Sequence, residues 1–336
     1  MIREAMLYEK TADNCAHCNL CAHGCIIKPG RRGVCGVREN KDGILYSLVY
    51  GTVIAEHIDP IEKKPFFHVH PGSKSYSIAA VGCNFNCQFC QNHEISQMPR
   101  STRMIAGEEI QPAEVVASAK KSGSKTIAYT YTEPTVFFEL AYETARIAAL
   151  QGIKNVFVTN GFMTGETLET IKPYLTAANV DLKSFRDEFY QKRCGARLAP
   201  VLASLQKMRE LGIWVEITTL LIPGLNDSNE ELKDIAGFIA GLGKEIPWHV
   251  SRFHPQFKML QTPATPVSSL HRACEIGRQA GLKYVYSGNV PGDEGENTYC
   301  SSCGNCLIER YGFQVKKINL TENKCLRCGT ELEGIF

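Results

Sequence analysis

The chain has 336 residues, 44% hydrophobic and 21% charged, an ordinary globular composition with ample apolar material for a sizeable core. Its 37 Lys and Arg nearly balance 35 Asp and Glu, so no whole-molecule field marks it for nucleic acid or an anionic membrane surface. The opening residues MIREAMLYEK lack the apolar run of a signal peptide, and no stretch approaches the roughly 18 apolar residues of a spanning helix; a cytoplasmic protein is expected.

In such a compartment the 15 cysteines point to metal or catalytic thiols rather than disulfides. The first group lies in residues 1–74, an N-terminal Cys-rich extension. Cys18, Cys21, Cys25 and Cys35 make a four-ligand set, with Cys15, His17 and His23 as competitors. Four thiolates suit either zinc or an iron–sulfur cluster, and the C-x2-C-x2-C-x3-C run from Cys15 to Cys25 keeps the cluster open. The later run EKKPFFHVH is expected to cover the mouth of the main domain and to bring Lys63, Lys64, His68 or His70 near a substrate; Lys64 and His68 are the catalytic candidates from it.

Residues 75–290 alternate β-rich runs with helical ones, the pattern of βα units around a parallel sheet. The predicted strands are SYSIAAVG, TIAYTY, NVFVTN, NVDLK, VEITTLLI, WHVSRF and KYVYSG. Between them PAEVVASAKKSG opens with a Pro suited to a first turn, TVFFELAYETARIAALQG is the longest helix, and SNEELKDIAGFIAGL has Ser228 and Glu231 at capping-box spacing. Six or seven units are too few for a closed eight-fold barrel and suit a partial (β/α)6 TIM-like barrel. Its functional groups would gather at the C-terminal strand ends. Cys83, Thr132, Glu133, Asn160, Asp181, Lys183 and His254 all fall there.

The second cysteine group, VGCNFNCQFCQN, holds Cys83, Cys87 and Cys90 as C-x3-C-x2-C with no fourth cysteine nearby. A zinc site would have to borrow a ligand such as His93; a [4Fe–4S] cluster with three irons on thiolates would leave its fourth open to a small molecule. The third group lies in residues 291–336. Cys300 and Cys303 pair with Cys325 and Cys328 as C-x2-C, 21 residues, C-x2-C, the spacing of a zinc ribbon, and Cys306 is a spectator. The isolated Cys194 is either a small buried residue or a rim thiol able to quench or relay a radical.

The triad, with Phe89 immediately before its last Cys, resembles the signature of radical S-adenosylmethionine (SAM) enzymes. With DPIEKKPFFHVHPG, YTYTEPTVF, VTNGF, VDLKSF and LLIPGLNDS, the chain resembles the branch related to pyruvate formate-lyase activating enzyme. Nearly the whole length is similar to the AmmeMemoRadiSam system radical SAM enzymes, HGC…KPG and CGTELEGIF included. The resemblance implies a [4Fe–4S] cluster on Cys83, Cys87 and Cys90, with the methionine end of SAM on its open iron. It implies Phe89 and Gln91 beside the adenine, Asp181 near the ribose, Lys183 on the cofactor carboxylate, His254 near adenine or ribose, and 221–225 as an apolar wall. Thr132 and Glu133 stand where relatives carry Gly-Gly-Glu, so the hydroxyl of Thr132 or Thr130 would replace a backbone approach that glycine allows. An external low-potential electron donor is implied, as are partners of the AMMECR and Memo families encoded nearby. The target would be a C–H bond of a small molecule or a protein. The competing function is a zinc-dependent nucleic-acid-modifying or binding protein, suggested by the ribbon and KPGRRG; the balanced charge opposes it.

Overall fold

The computed structural model describes residues 2–336. Its centre is an eight-stranded sheet whose strands follow one another in chain order: β1 (Ala55–Pro60), β2 (Lys74–Ala79), β3 (Thr126–Tyr129), β4 (Lys154–Thr159), β5 (Leu175–Asp181), β6 (Trp214–Leu221), β7 (Trp248–Arg252) and β8 (Val285–Gly288). Strands β2 to β8 are parallel. They are joined by α1 (Pro112–Lys121), α2 (Phe138–Leu150), α3 (Gly165–Ile171), α4 (Leu198–Glu210), α5 (Asn229–Leu242) and α6 (Val267–Gln279). The edge strands β1 and β8 do not pair, so the sheet stays open.

Strand β1 comes from the segment ahead of the βα alternation and adds antiparallel to β2. Its AEHIDP sequence is mostly exposed and polar, which is why it carries no strand signal of its own. Strand β5 starts at Leu175, four residues earlier than NVDLK suggests.

Side chains alternate across the sheet with the two-residue period of a strand. Ile127, Phe157, Val180 and Ile217 enter the core shared with the helices, whereas Ala128, Val156, Ala177 and Trp214 meet Ile61, Phe66 and Val69 on the opposite face. The run 61–70 thus plugs the inner face. Buried Arg310 of the C-terminal segment holds that plug, donating to the Phe67 carbonyl at 2.9 Å with its guanidinium 4.1 Å above the Phe67 ring.

The capping signals are partly as the sequence suggests. Gln111 and Glu114 form a capping box ahead of Pro112, and the Ser228 hydroxyl accepts from the Glu231 N–H at 3.2 Å. The Glu231 carboxylate does not complete a second box. It turns to the loop after β5 instead, accepting from the Ser184 hydroxyl at 2.5 Å and the Phe185 N–H at 2.6 Å.

Residues 2–53 fold as small antiparallel sheets, Arg3–Glu4 with Ile44–Ser47 and Arg38–Lys41, and Tyr8–Lys10 with Ala16–Cys18 and Ile26–Ile27. Two of its contacts set it against the rim: the Ala22 N–H donates to the Phe162 carbonyl at 3.0 Å, and Cys21 bridges to Met163. The last segment builds a three-stranded sheet, Thr298–Tyr299, Cys306–Tyr311 and Gln314–Ile318.

Candidate active site

Because β2 to β8 are parallel, every residue that follows one of them lies on the same rim. Hydrogen bonds knit these ends together. The Thr132 hydroxyl donates to the Ala80 carbonyl at 2.7 Å, and the Asn160 amide donates to Asn84 Oδ1 at 2.7 Å. Asn92 donates to the Tyr131 carbonyl at 2.8 Å, and Asn226 to that of Lys183 at 2.7 Å.

The loop after β2 carries Cys83, Cys87 and Cys90 and is clamped from three sides. Asn86 N–H donates to the Cys194 carbonyl at 2.7 Å, and Gln88 N–H to that of Arg193 at 2.9 Å. Arg100 donates to the carbonyls of Cys83 and Phe85, each at 3.2 Å, and Gly82 N–H donates to Ile95 at 3.0 Å. Gly82 has φ +103°, a conformation open to glycine, and a Cβ there would come 2.7 Å from Val37.

The thiols have directed neighbours. Cys83 Sγ accepts from the Phe85 N–H at 3.3 Å, and Cys90 Sγ lies 3.3 Å from the Ser96 hydroxyl. Burial pushes the Cys83 and Cys90 thiols up, and Cys87 is raised by its hydrogen bond with Cys194 and by burial. Cys194 is fully buried in the turn that backs the loop, not free on the rim. Lys183 reaches 2.9 Å from Asp181 and 5.9 Å from the ring of buried Phe89. Burial alone would drive the proton off Lys183, but the charges of Asp181, Cys87 and Cys194 hold its ammonium well above its ordinary range.

Glu133 is buried, and its carboxylate accepts from the Thr135 N–H (3.1 Å), the Thr135 hydroxyl (2.5 Å), the Thr159 hydroxyl (2.8 Å) and the Asn160 N–H (2.8 Å). It ties β3 to β4. Just before Thr132, Tyr131 takes φ +62°, a left-handed conformation uncommon for a residue with a Cβ. Its hydroxyl donates to Asp59, and the Lys64 ammonium stands 3.9 Å above its ring. Lys64 is buried, 2.7 Å from Asp59, and burial lowers its pKa to about 8. Gln91 and His254 are exposed on the rim.

His68 is elsewhere. It lies among Glu333, Tyr286 and Trp214, the first residue of β6, so it sits at the end of the sheet opposite the triad. The run 61–70 fills the inner face from below instead of covering the mouth, because Ile61, Phe66 and Val69 bury against β3 to β5.

In the last segment the Sγ atoms of Cys300, Cys303, Cys325 and Cys328 all lie within 4.8 Å of one another, and Cys306 stands outside the set. These four could hold a metal ion. Among the described residues no other group of three or more Cys, His, Asp or Glu is so tight.

A sequence model of the Radical SAM superfamily matches residues 77–239, from within β2 into α5. An uncharacterized protein of Methanocaldococcus jannaschii is 47% identical over the whole of both chains. The chain belongs to the radical SAM superfamily. It is therefore an enzyme of a superfamily that in general cleaves SAM with an iron–sulfur cluster. The GTP 3′,8-cyclase of Aquifex aeolicus is 30% identical over 48% of this chain and 51% of its own length, so the chain spans about half of that relative. A radical SAM methyltransferase from Sphaerobacter thermophilus shares the fold at 17% identity and a TM-score of 0.52, over 66% of this chain and 68% of that one. No helix among the described residues is long and apolar enough to cross a membrane.

The triad fits the superfamily's cluster. The triad is not one of the tight groups in which every ligand atom lies within 4.8 Å of the others, unlike the C-terminal four. Three soft thiol donors on one clamped loop are the ligand chemistry an iron–sulfur cluster takes. The residues that hold the triad loop and that the sequence does not single out are Asn84 and Arg100. Asn84's one signal is adjacency to Cys83, and Arg100 has none.

Proposed function

We propose that this radical SAM enzyme holds a [4Fe–4S] cluster on Cys83, Cys87 and Cys90 and binds SAM at the iron they leave free. When bound and reduced, that cluster supplies the electron that cleaves SAM to methionine and a 5′-deoxyadenosyl radical, which takes hydrogen from an inert C–H bond. The observation that carries the reading is a half-buried cation, Lys183, paired with Asp181 near Cys87 on a rim that also carries the other two thiols.

Lys183 neutralises the cofactor carboxylate, and Asp181 holds the ammonium in place and faces the ribose. Phe89 packs against the adenine from within the loop, while Gln91 and His254 approach it from the exposed side. Thr132 and Glu133 fix the turn after β3, so that backbone and hydroxyl groups there meet the methionine end. Lys64, under Tyr131, is the substrate-side candidate. Buried Cys194 backs Cys87.

Within the superfamily the D-x-K at 181–183 favours the activating-enzyme branch and its AmmeMemoRadiSam members, acting on a small-molecule or protein substrate. A low-potential electron donor and AMMECR- or Memo-family proteins are its proposed partners. Zinc is the ion proposed for Cys300, Cys303, Cys325 and Cys328, since four clustered thiols match its tetrahedral preference.

The test is spectroscopic. Anaerobically reconstituted protein, reduced with dithionite, gives an iron–sulfur electron paramagnetic resonance signal that changes shape when SAM is added. Lys183→Met keeps the signal and weakens SAM binding roughly 10- to 150-fold, the loss of one charged hydrogen bond. A wild-type signal indifferent to millimolar SAM sinks the proposal.

A further inference from the structure

The N-terminal cysteines line a small cavity next to the triad loop. Cys18, Cys21, Cys25 and Cys35 surround a partly open space of about 20 Å³, and Cys15 is not among its walls. We propose that these four thiols hold a second iron–sulfur cluster, a four-thiolate centre that passes electrons to the site on Cys83, Cys87 and Cys90.

The alternative is a zinc ion, and the same molecule shows what a zinc-sized thiol site looks like. Zn–S bonds of about 2.3 Å put the corners of a tetrahedron roughly 3.8 Å apart. In the C-terminal quartet the Cys300–Cys328 and Cys303–Cys325 separations are 3.6 and 3.8 Å. In the N-terminal set no three ligand atoms, with His17 and His23 counted among the choices, come within 4.8 Å of one another. The four residues instead line one small cavity. An iron cube accounts for both features, because it puts one iron behind each sulfur and so spreads the four apart.

The wall is also furnished for a negatively charged centre. Arg38, 2% exposed, lines the cavity with Nη1 3.9 Å from Cys18 Sγ. Its Nε and the Nδ2 of Asn84 are buried donors without a partner, and both residues face the void. Orphaned buried donors are costly, and sulfur acceptors inside the cavity would satisfy them. Gly33 belongs to the same wall, where a Cβ would stand 3.6 Å from Cys25 Sγ.

The loops that carry the two thiol sets are in contact. Asn84 follows Cys83 in the chain and lines the N-terminal cavity, and its carbonyl lies 2.8 Å from His23 Nε2. The Arg100 guanidinium joins the Val34 carbonyl at 2.9 Å to the Cys83 carbonyl at 3.2 Å, bridging the residues next to and at one ligand of each set. A Cβ on Gly82 would sit 3.3 Å from the Cys35 carbonyl. A one-electron donor of low potential reduces the N-terminal centre by one electron. That centre returns to its oxidised state by giving the electron to the site cluster, and no proton or atom is transferred.

The test separates this centre from the proposed SAM site. The full-length Cys83→Ala/Cys87→Ala/Cys90→Ala variant, reconstituted anaerobically with iron and sulfide, is expected to keep about four iron and four sulfide per chain. Dithionite then yields a paramagnetic signal that SAM does not alter. Adding Cys18→Ala and Cys35→Ala to that variant abolishes the iron, whereas adding Cys15→Ala retains it. In wild-type protein the two reduced centres broaden each other's signals. A triad-less variant that folds with no iron and carries two zinc ions per chain overturns the proposal, and iron lost with Cys15→Ala but kept with Cys35→Ala overturns the ligand set. Because the triad is deleted, neither result depends on SAM chemistry.

Discussion

Arg38 and Glu139 form an ion pair in which each side chain is 2% exposed, joining the N-terminal lobe to α2 across 101 residues. Arg38 also donates to the Met6 carbonyl at 3.1 Å, and Glu139 Oε1 accepts from the Met6 N–H at 2.8 Å. Glu139→Gln keeps the shape and strands a buried guanidinium without its counter-charge. Breaking one side of such a pair costs about 3–5 kcal/mol. The lobe is docked through this pair, so the cost falls on its local opening, and amides in residues 3–47 are expected to exchange with deuterium roughly 10²- to 10⁴-fold faster, at about 1.36 kcal/mol per decade. Amides in β4 to β6 keep their protection. Arg38→Met/Glu139→Leu, which removes both charges, recovers most of the loss. Unchanged exchange in Glu139→Gln would show that the pair does not hold the lobe.

Three further outcomes follow from particular contacts. Gly82→Ala forces a Cβ to within 2.7 Å of buried Val37 at a φ of +103°, and should destabilise by about 1–3 kcal/mol, with lower iron content after reconstitution than wild type; normal iron and stability would remove the close packing from the account. His68 is buried, and burial lowers its pKa to about 4 despite the nearby Glu216. Between pH 6.5 and 4 the unfolded chain takes a proton that the native one refuses, so stability falls with pH by about 3 kcal/mol across that window. His68→Gln should flatten this slope in denaturation midpoints, and an identical slope in the variant would contradict the assignment. If the four C-terminal thiols hold the proposed metal, Cys303→Ser should lower metal content by one ion per chain and open residues 298–330 to proteolysis while leaving triad iron unchanged; a protease-resistant tail would deny that site a structural role.

The rim was legible in the sequence because each of its residues follows a β-rich run, and parallel strands bring such positions together whatever the details between them. The triad needed only local spacing. Lys183 and Asp181 sit two residues apart on β5 and its exit, so their pairing is also local. What the sequence could not convey is long-range. The set Cys18, Cys21, Cys25 and Cys35 was readable from spacing, but that all four line one cavity depends on how Gly33 and Gly36 turn the chain back. The polar run EKKPFFHVH reads as a cover for the mouth, but its apolar half, Phe66 and Val69, is drawn to the small residues Ala128 and Ala177 on the inner face. Glu231 has capping-box spacing and is claimed by Ser184 and Phe185, partners 47 and 46 residues away that no local pattern reveals.

The central claim is tested most directly by following 5′-deoxyadenosine. Anaerobically reconstituted full-length protein is incubated with SAM and dithionite, beside the Cys87→Ala variant carried through the same reconstitution. The account predicts 5′-deoxyadenosine and methionine in equal amounts from the wild type and none above background from Cys87→Ala. Wild-type protein with a fully loaded triad cluster that releases no 5′-deoxyadenosine would contradict it.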